Sequence, residues 1–451
     1  MRAFSKLVLG ALASLIGSSL AAPSPLIAHP GTAKDVWVTK QDTINATQSF
    51  TTNTTNGPGQ LTVNAVNNFA GTVNAYVTGL DSNNQLVILQ TDGTWLYPSA
   101  NGATTPQPIS GSVAIPLGAQ GSTTAITLPS YISAGRIWFA ADGELKFFVV
   151  QGEEGPSLVQ PSPANPQDPS SAVNWGFVEL TYTEEAGLWT NISYVDFVGL
   201  ILGMSVTGTD GTVQSALGLQ ADALNNICND LKTAAAADGQ PWDKLCVADT
   251  SGKNLRAMAP GDYSASNPDA FSNYWTDYVN QVWQFYETNT LTVDTQASAG
   301  KVTCQVSGGV LNCNGDSRGY NPPVAADIWG CNSGPFAIEE GDNDVHRAVV
   351  PRLCAAFTRS TLLATGGDVQ PGLGSTQFYL TAPTNVYSQV VHKYEVDGKG
   401  YAFAYDDVSA SSDNNQSGEL STPTPQSMTV TIGGPSQNAT SKRRVRRAFA
   451  G

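Results

Sequence analysis

Two neighbouring stretches decide the reading of this chain: Trp175-Gly-Phe-Val-Glu-Leu-Thr-Tyr182 and Asn191-Ile-Ser-Tyr-Val-Asp-Phe-Val198. Both are rich in the aromatic and β-branched residues that suit a pleated, half-buried surface. The spacing predicts strands over 177–182 and 191–198, joined as a hairpin through the turn-forming Thr183-Glu-Glu-Ala-Gly187. Each strand holds one carboxylate among apolar neighbours, Glu179 in the first and Asp196 in the second. A carboxylate set in an apolar strand is costly unless it is paired or faces a cleft. Burial there also raises its pKa, as a general acid requires. The competing structural reading is that each caps a strand edge or simply accepts hydrogen bonds.

On the N-terminal side, from Leu61 to Val150, short apolar runs alternate with Gly, Asn, Pro and Ser clusters. The runs are Asn74-Ala-Tyr-Val-Thr78, Leu86-Val-Ile-Leu89, Ser112-Val-Ala-Ile-Pro116, Arg136-Ile-Trp-Phe-Ala140 and Leu145-Lys-Phe-Phe-Val-Val150. Regular spacing of this kind predicts a β-sandwich or barrel. Residues 155–173, rich in Pro and Ser, read either as a domain linker or as a long loop within one sheet domain. On the C-terminal side the periodicity turns helical, with Leu217, Leu224, Ile227, Cys228 and Leu231, then Phe271, Tyr274, Tyr278, Val282 and Tyr286. The second stripe reads as core rather than as a sugar platform. Residues 208–384 are therefore expected to form a mixed α/β domain. Strand character returns at Tyr401–Val408 and Met428–Ile432, so that a β domain over 35–207 is completed by 385–434.

The ends of the chain have their own signatures. Met1-Arg-Ala-Phe-Ser-Lys6, an apolar run from Leu7 to Ile16 and small residues up to Ala21 predict a secretory signal peptide over 1–21. The apolar run is too short to span a bilayer. The tail 435–451, with its Lys442-Arg-Arg-Val-Arg-Arg447 cluster, is expected to be disordered and suits a dibasic processing protease. Secretion makes the six cysteines disulfide candidates; of the fifteen possible pairings, neighbours in sequence close the shortest loops and are the expected set, 228 with 246, 304 with 313 and 331 with 354. Sequons begin at Asn45, Asn53, Asn191, Asn415 and Asn438.

Charge and composition narrow the function. Of 451 residues only 13% are charged and 41% are hydrophobic, a balance that fits an extracellular β-rich protein and excludes disorder as the main state. Seven of the 22 basic residues lie in the two end segments, which leaves 15 against 37 acidic ones over 23–441 and a net charge of -22 there. Such a surface repels phosphate backbones and anionic lipid, so neither nucleic acid nor membrane is an expected partner, whereas a neutral polysaccharide is compatible. A triad would have to use His346 or His392, and neither lies near a Gly-x-Ser-x-Gly elbow. Nucleotide-binding loops are also missing from the sequence. Carboxylates remain, which suits hydrolysis of glycosidic bonds.

The hairpin is also where a resemblance lies. Val178-Glu-Leu-Thr-Tyr182 and Thr190-Asn-Ile-Ser-Tyr-Val-Asp-Phe-Val198 resemble the signature of the glycoside hydrolase family 64 β-1,3-glucanases. Five further stretches are similar to that family in order along the chain: Val77–Leu80, Gly135–Trp138, Pro241–Leu245, Ala326–Phe336 and Asp397–Val408. The last also resembles the Tyr-rich Asp-Asp stretch of plant thaumatin-like proteins. The resemblance implies a mostly β fold, a thaumatin-like barrel or sandwich with an inserted mixed α/β domain and a groove between them. It implies a secreted, endo-acting enzyme that cuts β-1,3-glucan by inversion and releases laminarioligosaccharides, with no metal or organic cofactor. Residue by residue, Glu179 matches the general acid and Asp196 the general base, and Thr181, Trp189 and Ser193 line the subsites beside the scissile bond. A monomer is the expected state. The alternative is a thaumatin-like protein that binds β-1,3-glucan without cutting it.

Three details of that site follow from the sequence. Strict strand alternation places Glu179 with Thr181 but separates Asp196 from Ser193, so a bulge or a strand end near Gly199 is needed to bring both carboxylates into one cleft. The sequon at Asn191 falls inside the site and is expected to stay unmodified because its strand is buried. Asp406 and Asp407 read as a hydrogen-bonded turn that supports the barrel rather than as cleft residues.

Overall fold

The alternation seen between Leu61 and Asn67, where every second side chain is apolar, is the pattern of a strand with one face on a core, and that face is buried. In the computed structural model, which describes residues 25–45, 59–153, 155–412 and 415–435, this strand belongs to a five-stranded sheet. Its order is Val213–Ala216, Leu202–Gly208, Pro425–Ile432, Leu61–Asn67, Thr123–Leu128. The C-terminal strand pairs parallel with Leu61–Asn67 and antiparallel with Leu202–Gly208, so the last strand closes a sheet that the first long one opened.

A larger sheet carries, in order, Leu420–Thr422, Gly187–Ile192, Asn174–Thr183, Ile132–Ala141, Val73–Leu80, Leu86–Leu89 and Trp95–Leu96, with Ile115–Pro116 also paired to Val73–Leu80. One face of each sheet shares a single apolar core, with Val77, Ile137, Phe139, Val178, Leu180 and Ile192 from the larger sheet and Val63, Met204, Val206 and Val430 from the smaller. The opposite face of the larger sheet divides along its length. Toward one end Trp138, Phe177, Trp175 and Phe197 pack as a buried aromatic cluster with Tyr76 and Phe147. Toward the other end the same rows carry Arg136, Glu179 and Asn191, then Thr181 and Trp189.

The remainder is mixed. Helices Ala223–Asp238, Thr276–Tyr286, Asp344–Thr358 and Val386–Tyr394 pack with a sheet built from Leu291–Asp294, Lys301–Ser307, Val310–Cys313 and Val369–Gln370. A small sheet joins Leu26–Ile27, Cys246–Ala248, Asn254–Met258 and Phe197–Val198. The three disulfides are those expected, 228 with 246, 304 with 313 and 331 with 354. No helix among the described residues is long and apolar enough to cross a membrane.

Several local expectations are revised. The hairpin's second strand runs over Gly187–Ile192 and stops before Ser193, and only Phe197–Val198 resumes as strand, in the small sheet. Residues 401–408 form a turn rather than a strand, apart from one bridge at Tyr401. The stripe packs on the core as expected, with Tyr274 half-buried, but Phe271 and Tyr274 precede the helix, which begins at Thr276. The 155–173 stretch includes the strand Pro156–Val159, and Ser162, Asn165, Asp168, Ser170 and Ser171 are buried, which is the loop-within-a-domain reading. The signal segment, the sequons at Asn53 and Asn438 and the basic tail from Lys442 lie outside the described residues.

Candidate active site

The hairpin register builds the site. Glu179 stands opposite Arg136 on one neighbouring strand and opposite Asn191 on the other, so the three side chains form a row across the sheet. Arg136 Nη2 donates to Glu179 Oε1 at 3.0 Å and Nε at 3.3 Å, and Asn191 Nδ2 lies 3.4 Å from Oε2. Arg136 is itself held by Gln160, whose Oε1 accepts at 3.4 Å, and by the face of Phe177 at 4.3 Å. The next row places Thr181 opposite Trp189.

Asp196 reaches the same place by another route. After Ile192 the chain leaves the large sheet and bends through 194–196, and Phe197–Val198 then pair with Ala257–Met258. The backbone carbonyl of Asp196 accepts from Ala259 N at 2.8 Å. This bend resolves the parity conflict: Asp196 need not obey the strand's alternation because it is no longer in that strand. Its Oδ2 lies 3.7 Å from Arg136 Nη2, the nitrogen that also touches Glu179. The two carboxylate oxygens are therefore at most 6.7 Å apart, the sum of 3.0 and 3.7 Å. Burial raises the Asp196 pKa, which Arg136 partly offsets and the Glu179 charge reinforces.

Two hollows meet at this cluster. One, of about 310 Å³, is lined by Gln41, Gln160, Thr181 and Trp189, and the other, of about 260 Å³, by Asn191, Ser193, Asp196 and Tyr401; both include Arg136, Glu179 and Trp189. Glu179 thus sits at the middle of an open groove and remains 30% exposed, against 23% for Asp196. All five residues singled out from the sequence, Glu179, Asp196, Thr181, Trp189 and Ser193, line it. Arg136, Asn191, Gln160 and Tyr401 were not assigned roles there. Arg136 had a legible signal, as the lone charge in the apolar run Arg136–Ala140. Tyr401 lies in the Asp397–Val408 stretch, yet no local pattern pointed it to this groove, because it arrives from the far end of the chain, where it bridges Ser193 and its hydroxyl donates to Asp407 at 2.7 Å.

Other candidates are accounted for elsewhere. His346 is buried against Asp316 and Tyr320, and His392 against Glu395 and Asp406. Asp406 also pairs with Arg359 at 2.9 Å and accepts from Ala402 N, so it holds a turn, as expected. The Asn191 side chain is 1% exposed, which places its sequon nitrogen out of reach in the folded chain.

Two carboxylates flanking an open cleft, with a polar lining and an indole beside them, form a site equipped to cleave a bond between sugars. The chain belongs to glycoside hydrolase family 64, the β-1,3-glucanases, which it matches over residues 59–432. It is 28% identical over 289 residues to glucan endo-1,3-beta-glucosidases of Cellulosimicrobium cellulans and of Arthrobacter sp. (strain YCWD3), an alignment that covers 61% of this chain and 49% of theirs. The match therefore spans about half the length of those relatives. Among solved structures it is similar to a laminaripentaose-producing β-1,3-glucanase in complex with laminaritetraose, with a TM-score of 0.72 at 28% identity over 83% of this chain and 99% of that one. A β-1,3-glucanase domain from Clostridium beijerinckii shares the fold, with a TM-score of 0.63 at 21% identity over 85% of this chain and all of that one.

Proposed function

We propose that this chain is a secreted, endo-acting β-1,3-glucanase that hydrolyses its substrate with inversion and releases laminarioligosaccharides. The observation that carries the proposal is the single Arg136 nitrogen between Glu179 and Asp196 at the middle of the groove. In this reading 35–207 and 385–434 form a thaumatin-like barrel, 208–384 is an inserted α/β domain, and the groove lies between them. Glu179, fixed by its strand on the open face, donates a proton to the leaving glycosidic oxygen. Asp196 takes a proton from the water that attacks the anomeric carbon from the opposite side, so the new reducing end is the α-anomer.

The electrostatics support these roles. A base whose pKa is raised by burial is a better proton acceptor near the working pH. Proton donation by Glu179 requires Arg136 to loosen its hold, and the same guanidinium nitrogen has Asp196 within 3.7 Å to turn to. Trp189 offers a flat apolar face to a sugar ring, while Thr181 and Ser193 offer hydroxyls on either side of it. Hollows on both sides of Glu179 suit a chain that passes through rather than one that ends there. Neither step calls for a metal or an organic cofactor.

Proton NMR of the protein acting on a soluble β-1,3-glucan, read before mutarotation, tests the whole reading. Early α-anomer is expected. Early β-anomer would replace the base with a retaining nucleophile, and binding without new reducing ends would make the protein a non-catalytic glucan binder.

A further inference from the structure

Between the groove and the buried aromatic cluster lies a small recess of about 10 Å³, lined by Arg136 and Asp196 on the groove side and by Phe177 and Phe197 on the other. That is space for about one water molecule. Two more carboxylates, Asp42 and Asp262, line it as well, with Gln41. The guanidinium of the recess is engaged with Glu179 and Asp196. Three carboxylates gathered around so small a space with one guanidinium repel one another, and the one with the weakest partner is the first to hold its proton.

The three are not equally provided for. Asp42 accepts from the Thr39 hydroxyl at 2.8 Å. Asp196 has Arg136. Asp262, 7% exposed, has the neutral amide of Gln41, whose Nε2 donates to Oδ1 at 3.2 Å, and no ion pair among the described residues. Its position is firmly tied to Asp196: Phe197 pairs with Met258, Ala259 N donates to the Asp196 carbonyl, and the helix that begins at Pro260 carries Asp262 in its first turn.

We propose that Asp262 is a positioning residue for the hydrolysis, an un-ionised carboxylic acid that with Gln41 closes the recess and keeps the Asp196 carboxylate poorly hydrated. The inference rests on Asp196 being the base. In the attack the proton moves from water to Asp196, and Asp262 keeps its own proton throughout. The ionisable groups facing this pair are Arg136 and Glu179 from the large sheet, Asp42 from the segment before Thr43–Asn45 and Tyr387 from the helix Val386–Tyr394. Burial, reinforced by the charges of Asp196 and Asp42, pushes the Asp262 pKa well above the carboxylate range, consistent with this role.

The test is a ¹³C NMR titration of aspartate carboxyls in the full-length protein, with Asp196→Asn and Asp262→Asn assigning the resonances, alongside the pH profile of kcat on soluble β-1,3-glucan. Asp262 should still be protonated at pH 7. In Asp262→Asn, which keeps the shape of the neutral acid, the Asp196 midpoint and the acid limb of kcat should stay within about 0.3 pH of wild type. In Asp262→Ala, which admits water, both should fall by about 1 pH or more. An ionised Asp262 at pH 7, or an Asp196 midpoint indifferent to Asp262→Ala, would overturn the proposal. Should the alanine variant not fold, the wild-type and asparagine titrations decide. A wild-type protein that cuts no glucan sinks the proposed activity while the titration still judges Asp262.

Discussion

Arg136 is the residue on which the groove's charge balance turns, because one of its nitrogens serves both carboxylates. Replacing it with Met keeps much of the packing over Phe177 but removes the cation. Since Arg136 lowers the Asp196 pKa, Arg136→Met should move the acid limb of the kcat profile to higher pH and reduce kcat at least tenfold, as Glu179 loses its alignment. An unmoved acid limb would mean that the guanidinium is electrostatically irrelevant. Glu179→Gln and Asp196→Asn remove the acid and the base in turn. Each should lower kcat by about 10²- to 10⁴-fold, while calorimetric titration with a laminarioligosaccharide still reports binding. Full activity in either variant would discard the proposed roles.

The element that sets the distance between the carboxylates is the bend after Ile192. The chain returns against its own hairpin so closely that a Cβ on Gly199 would lie 2.0 Å from the Trp175 carbonyl oxygen, the same oxygen that accepts from Leu200 N at 2.8 Å. Gly199→Ala must therefore push the two segments apart. It should cost about 1–3 kcal/mol by chemical denaturation and reduce activity as well, since Asp196 lies three residues before the contact. A variant with wild-type stability would show that the approach is slack. The reading of this element from sequence went only part of the way. The Glu179 strand, the shared face of Glu179 and Thr181 and the need for a bulge or a strand end near Gly199 follow from alternation. The break itself came earlier than a run as apolar as Asn191–Val198 implies, because Phe197 and Val198 gain a new pairing with Ala257 and Met258. Strand propensity measures willingness to pair and does not name the partner.

At the scale of the whole molecule, buried ionisable groups tie stability to pH. Burial pushes Asp42 up to about 6 and Glu395 up to about 7, and it raises Asp262 as well. Each contributes stability that is full below its unfolded value near pH 4 and is lost as pH rises through the folded value. Burial alone would lower His392, yet Glu395 and Asp406 outweigh it and hold it at about 10, so its contribution is also lost only on the alkaline side. Asp406 works in the opposite sense. Burial would raise its pKa, but His392 and Arg359 keep it low, and its contribution disappears as pH falls below about 4. The denaturation midpoint should therefore peak near pH 4–5 and decline toward pH 7, and Asp42→Asn should flatten the part of that decline below pH 6. A midpoint that rises from pH 4 to pH 7 would contradict the assignment. Asp406→Asn, which leaves buried cations short of their partner, should cost about 3–5 kcal/mol at pH 6.

By itself the sequence determined the β-rich class, the first strand of the hairpin and both candidate carboxylates, while the resemblance pointed to the two lining residues on its open face; the disulfide pairs were one choice among fifteen until the structure brought the cysteines together. The class, the strand and the carboxylates depend on periodicity or on groups near in the chain, and the lining residues on the match to the family signature. Only the tertiary structure decided that Arg136 from another strand joins Glu179 to Asp196, that Tyr401 completes the groove and that Asp262 stands beside Asp196. These groups lie between 43 and 222 positions from Glu179 in the chain, counting from Arg136 and Tyr401. Their meeting is set by sheet order and by the closure of the last strand, and no local pattern of apolar and polar residues encodes either.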